Sequence, residues 1–169
     1  DTVNPTQSWS YWASTFTFFA QNWQHGFQVS HQTGRLENYS FVASDTLFIG
    51  INLVGGAIHD AQEWATRSAD DLAWIQANFS QFGAQVGSAV IFAQASPEKN
   101  GYSSFESGLI NAAQQFADPI LYIQGDSHNW LLEKTYASAP NFTRVILEST
   151  GSGPDSAPLL VSVSNDPVN

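Results

Sequence analysis

Three apolar runs constrain this chain most. Thr46–Val54 (T-L-F-I-G-I-N-L-V), Ser88–Gln94 (S-A-V-I-F-A-Q) and residues 119–124 (P-I-L-Y-I-Q) are each of strand length. Each is bounded by Gly, Pro or polar residues. Runs that are apolar without alternation read as strands covered on both faces. Between them lie two segments of helical period. Trp64, Leu72, Ile75, Phe79 and Phe82 share one face within about residues 61–82, and Phe105, Leu109, Ala112 and Phe116 do so within 105–117. Strand, helix, strand, helix, strand is the βαβαβ pattern of an α/β protein with a parallel sheet. A length of 169 residues suffices for one domain, and 1–169 reads as a single one.

The flanks are less regular. Asn38–Ala43 alternates, with Tyr39 and Phe41 on one side, as a half-buried strand does, and Asp45 then turns the chain. Downstream, Phe142–Ser149 and Leu159–Ser164 alternate about a Gly/Pro/Ser turn at 151–158, which predicts an antiparallel hairpin extending the sheet. Near the start, Trp9, Trp12, Phe16 and Phe19 are spaced 3, 4 and 3, a helical stripe with Ser8 placed to cap it. Packing on a core is the simpler reading of that stripe. A sugar-binding shelf using Trp9, Trp12 and Trp23 is the other. Residues 21–37, with His25 and His31, read as loop. Ser68-Ala69-Asp70-Asp71 has the form of a capping box, at which the long helix would restart.

Five Lys+Arg against fifteen Asp+Glu give a net charge of −10, with no basic cluster. That argues against nucleic acid and anionic membranes as partners, and against a polyanionic substrate unless a cation inverts the local field. No 18-residue apolar run predicts a membrane span. Cysteine is absent, so disulfides and thiolate metal sites are excluded. Low Lys, high acid and no Cys lean towards an extracellular or periplasmic, secreted protein. Sequons at Asn38, Asn78 and Asn141 are candidate glycosylation sites in that setting. The chain also lacks Met, as expected of a processed chain or a piece of a longer one.

Chemistry-bearing residues gather where the three runs end. The first leads through Asn52 and Gly55-Gly56 to His59; the second ends at Gln94; the third ends in Gly125-Asp126-Ser127-His128. If the strands are parallel neighbours, these groups line one sheet edge, where open α/β sheets place their ligands. Asp126 and His128 can converge on one point as metal ligands or as an acid/base pair. On the motif alone, an Asp capping the next segment and a surface His read equally well. His59 and Glu63, four apart, could share a helix face as a two-ligand clip, although a plain surface pair is the simpler reading. No G-x-S-x-G elbow, G-x-G-x-x-G or Walker A loop occurs.

In order, Thr46–Val54 with Gly55-Gly56, the helix carrying Leu72-Ala73-Trp74-Ile75, Val90–Pro97 and Pro119–His128 resemble the C-terminal half of calcineurin-like metallophosphoesterases. The likeness runs from about residue 36 to 164. Pro140-Asn141-Phe142-Thr143-Arg144-Val145 resembles a subset of that family. The resemblance implies a layered metallophosphoesterase-like sheet and hydrolysis of a phosphate ester by a metal-bound hydroxide. It implies metal ligation by His128, Asp126 and Gln94, with Asn52 and His59 as candidate outer-sphere or substrate residues. Manganese, zinc or iron, as one or two ions, is the implied cofactor. Asp126 and Gln94 stand where the family has His, which replaces imidazole by oxygen donors and puts the second ion in doubt. No counterpart of the family's front half, with its G-D-x-x-D and G-N-H motifs, occurs in 1–169. The chain is therefore expected to be the C-terminal part of a longer protein, with an N-terminal half or self-association to complete it. The alternative is a non-catalytic extracellular structural or surface-binding protein that keeps this fold.

Overall fold

The computed structural model describes residues 5–148 and 159–164. It is mixed α/β. The elements are α1 (Pro5–Phe16), a 3-10 turn (Phe19–Asn22), β1 (Ser30–Gln32), β2 (Arg35–Ala43), β3 (Thr46–Gly50), α2 (Ala61–Phe82), β4 (Ser88–Phe92), α3 (Ser103–Gln115), β5 (Ile120–Gln124), β6 (Leu131–Glu133) and β7 (Phe142–Ile146). The described strands form one seven-stranded sheet in the order β1-β2-β3-β4-β5-β7-β6. β3, β4, β5 and β7 are parallel; β1, β2 and β6 are antiparallel to their neighbours.

The two crossover helices bury one face of this sheet. Leu47 and Ile49 of β3, Ile91 of β4, Tyr122 of β5 and Phe142 of β7 alternate inward. They meet Trp64 and Ile75 of α2 and Phe105, Leu109 and Ala113 of α3 in one apolar cluster. The helices also pack on each other, with the Phe79 and Phe116 rings 4.4 Å apart. α2 starts where Asp60 Oδ1 accepts the Gln62 and Glu63 amides at 2.9 and 3.0 Å, satisfying two otherwise unpaired N–H groups. It runs unbroken through Ser68–Asp71, so the capping-box restart does not occur. Arg67, Ser68 and Asp71 are buried on the same stripe as Trp64 and Ile75.

The residues between those inward positions point to the opposite face. There the rings of Phe27, Phe41, Phe48 and Phe92 stack in series across the strands, at centroid spacings of 4.4, 4.8 and 6.4 Å. Gly50 belongs to this face: a Cβ on it would lie 2.2 Å from the Tyr39 ring, so the ring lies flat across β3 because no side chain is there.

Several boundaries differ from the sequence reading. The N-terminal helix begins at Pro5, which puts Ser8 inside it rather than at its cap. Its aromatic stripe does not enter the core: Trp9, Phe16 and Phe19 stay partly exposed. Residues 30–32 and 35–37, read as loop, are strand, because their polar side chains find partners on α2. β3 ends four residues early, at Gly50. The largest correction concerns the final hairpin. Phe142–Ile146 pairs parallel with β5, and its antiparallel partner is Leu131–Glu133. Buried on both faces, β7 takes an interior place in the sheet. Residues 159–164 carry no strand, with Leu160 and Val163 exposed. The turn expected at 151–158 lies outside the described residues, as does Ser149. No described helix is long and apolar enough to cross a membrane.

Candidate functional site

Because β3, β4 and β5 are adjacent and parallel, their C-terminal ends share one edge. Past Gly50 the chain leaves the sheet. Ile51 N–H still donates to Phe92 O, and Leu53 O then accepts from both Gln94 and Ala95 amides, at 3.1 and 2.9 Å. Residues 51–54 thus cross the end of β4 and bring Gly55 to the side chains that follow β4 and β5.

There the groups converge. Gln94 Oε1 accepts from the Gly55 amide, and Gln94 Nε2 donates to Asp126 Oδ1 at 3.3 Å. Lys99 Nζ donates to Asp126 Oδ2 at 2.7 Å. The Lys99 ammonium holds the Asp126 carboxyl below the usual carboxylate range, against a smaller cost of desolvation; Gln94 and the charge of His128 act with it. A Cβ on Gly55 would lie 2.2 Å from Asp126 Oδ1, so the carboxylate occupies the space that glycine leaves. Asp126 and His128 both have left-handed backbone, with φ of 70° and 59°. Non-glycine residues rarely adopt this conformation, and two within three positions mark a tightly specified turn.

His128 is exposed beside Asp126. His59 is exposed on the loop before α2, next to the capping Asp60. Glu63 chelates the Arg67 guanidinium at 2.8 and 3.0 Å, which engages both oxygens of the carboxylate proposed for a clip with His59. Asn52 belongs to a second, buried cluster. Its N–H donates to Asn38 Oδ1 at 2.8 Å, its carbonyl accepts from Arg67 Nη1 at 2.8 Å, and its Nδ2 donates to Glu37 Oε1 at 3.3 Å. Asn38 Nδ2 in turn donates to Asp71 Oδ1 at 2.7 Å. Burial pushes the Asp71 carboxyl up to about 7, opposed by the Asn38 hydrogen bond and by Arg67. This cluster and the Tyr102 hydroxyl, which donates to Val54 O at 2.8 Å, fix the segment that delivers Gly55.

Sequence alone does not single out Lys99, Tyr102, Asn38, Arg67 or Asp71 as parts of this assembly. A usable signal existed for two of them. Residues 67 and 71 fall on the 3–4 spacing of Trp64 and Ile75, so a guanidinium and a carboxylate were due to be buried together. The sequon asparagines are correspondingly structural. Asn38 is fully buried, and Asn78 is buried with its Nδ2 donating to Trp74 O. Asn141 Nδ2 meets the carbonyls of Ala113, Phe116 and Asp118, closing the end of α3. Asn38 and Asn78 thus have their side-chain amides engaged inside the fold.

The side chains at this edge that a metal could use are Asp126 and His128, and both Asp126 oxygens are already engaged, by Gln94 and Lys99. Asp126 offers a carboxylate and His128 an imidazole, while the Gln94 oxygen is already used by Gly55. Among the described residues no group of three or more His, Asp or Glu is placed to hold an ion. Comparison of the chain with protein-family models, with curated proteins and with solved structures finds no match.

Proposed function

We propose that this chain is the C-terminal half of a metal-dependent phosphoesterase, with the Gln94–Asp126–His128 edge as one wall of its centre. The observation that carries this reading is the junction of Gly55, Gln94 and Asp126 at the ends of three adjacent parallel strands, in the chain order of the calcineurin-like motifs they resemble. In this reading Asp126 and His128 hold the metal from this side. Gln94 orients Asp126 through its amide and is tied down itself by the Gly55 N–H. Lys99 balances Asp126 and, on a long flexible stem, can turn to a phosphoryl oxygen instead. A divalent ion here would polarise a phosphoryl oxygen and acidify bound water. The remaining ligands would come from another segment or another chain.

The test is metal content by elemental mass spectrometry after incubation with manganese, zinc and iron, paired with hydrolysis of bis(p-nitrophenyl) phosphate by the full-length protein. Bound metal and turnover, both lost in His128→Ala, are the expected result. Turnover unchanged by His128→Ala sinks the assignment.

The Lys99–Asp126 pair favours a second reading, in which the fold persists without catalysis. The ammonium already supplies Asp126 with a cation, so the edge is neutralised without a metal. A protein that takes up no metal under any of these conditions, and associates through its sheet, belongs to this reading.

A further inference from the structure

Away from this edge, α1 and the 3-10 turn lean over the second face of β1 and β2 and line a cavity of about 550 Å³ that is half open to solvent. Its wall is aromatic, with Trp12, Phe19, Trp23, Phe27 and Tyr39 among the rings. The Phe19 and Trp23 rings meet edge to face at 4.6 Å, and Phe27 is stacked on Phe41, so the ring positions support one another. Glu37, whose side chain is only 5% exposed, is the one acid in this wall.

The charges behind the wall do not balance. Arg35 is shared among three carboxylates: Asp70 at 2.9 Å, Glu63 at 3.7 Å and Glu37 at 3.8 Å. Arg67 is spent on Glu63. Three carboxylates thus face two guanidiniums, with Asp71 buried beside them, and Glu37 has the most distant of the cationic partners. The two histidines of the wall reinforce the sign. His25 Nδ1 lies 2.7 Å from Phe27 O and His31 Nδ1 lies 2.7 Å from Leu36 O. Each Nδ1 must donate to its carbonyl, so in the neutral ring Nε2 is an acceptor. Ring faces, acceptor nitrogens and an under-neutralised carboxylate all favour positive charge. A strongly hydrated metal ion would find one carboxylate in an apolar cavity, whereas an alkylated ammonium desolvates readily and is attracted to ring faces.

We infer that this cavity binds a small organic cation, a quaternary ammonium group seated against Trp12, Trp23 and Tyr39 with Glu37 as its counter-charge. The site does not depend on the phosphoesterase reading. The probe is choline, compared with its uncharged isostere 3,3-dimethylbutan-1-ol and with methyl β-glucoside. Each is titrated into the full chain and followed by tryptophan fluorescence and by calorimetry. Choline is expected to bind saturably and about tenfold or more tighter than the isostere. Glu37→Gln keeps an acceptor for Asn52 Nδ2 and should weaken choline about tenfold while leaving the isostere unchanged. Trp23→Leu, at a side chain that is half exposed and not needed for the core, should weaken choline by a similar factor. Equal binding of choline and isostere, preference for the glucoside, or no saturation by about 10 mM choline overturns the inference.

Discussion

Lys99 Nζ lies 2.7 Å from Asp126 Oδ2, and the two side chains are 28% and 25% exposed. The lysine comes from the loop after β4 and the aspartate from the turn after β5, so the pair closes the sheet edge from both sides. A partly exposed pair of this kind contributes about 1 kcal/mol or less to stability. Its larger effect is on what else Asp126 can hold. Lys99→Met should change the denaturation midpoint little and should strengthen divalent-ion binding at Asp126 and His128. A manganese titration of the two proteins, with Asp126→Asn as the blank, reads this directly. Weaker binding in Lys99→Met would mean that Lys99 organises the site rather than competing for it.

Gly55 and Asp126 occupy each other's space. Gly55→Ala places a methyl group on the Asp126 carboxylate, which must turn away and give up its Gln94 and Lys99 partners. The expected loss is about 1–3 kcal/mol, typical of overpacking. Removing the carboxylate should relieve it, so Gly55→Ala and Asp126→Ala together should cost less than the sum of the two alone. Urea melts of the four proteins of this cycle measure the coupling; strict additivity would separate the residues.

Asp71 makes stability fall with pH. Its folded value of about 7 lies above the 3.8 of an ordinary aspartate, so the native state holds the proton more tightly than the unfolded chain does. The contribution is complete below about pH 4 and is lost as pH rises through 7, at up to about 1.4 kcal/mol per pH unit within that window. Arg67 and Asn38 favour the carboxylate, Glu37 opposes it, and Tyr102 and Tyr122 also interact with its charge. In Asp71→Asn this slope should disappear. The stability difference between the two proteins, measured by urea melts from pH 4 to 8, should therefore move in favour of the asparagine as pH rises. A constant difference would place Asp71 at an ordinary value.

Asn38 ties β2 to α2 and to the segment that delivers Gly55. Asn38→Ala removes the Nδ2 donor to Asp71 and the Oδ1 acceptor of the Asn52 N–H, both inside the core, and should cost about 2–4 kcal/mol. In a glycosylating host the same constraint should show as sequons at Asn38 and Asn78 unmodified in the folded, secreted fraction. Peptide mass mapping tests it, and a glycan at either position in soluble, native protein would contradict this packing.

Much of the frame was legible because strand and helix periods differ. The three apolar runs and two helical stripes place β3, α2, β4, α3 and β5 within a few residues of their observed bounds. Gln94, Asp126 and His128 follow from the strand ends once the order is parallel. Lys99 was not legible, since a lysine in a polar loop carries no pattern. Asn52, polar within an apolar run, reads from sequence as either a network residue or a pointer to a site, and its bonds to Asn38, Glu37 and Arg67 make it a network residue. The antiparallel hairpin failed for a physical reason: alternation shows that Phe142–Ile146 is a strand but not which neighbour it pairs with.

The sequence by itself determined the element types, the apolar face of each helix and the acidic balance of the chain. Each is a local property, set by periodicity and composition. Only the tertiary structure decided that β7 inserts between β5 and β6, that Lys99 reaches Asp126, that Asn38 and Asp71 meet in the core, and that an aromatic cavity opens beneath α1. Those contacts join residues 11 to 33 positions apart, and a pairing at that range is chosen by which buried polar groups and apolar faces satisfy one another in space.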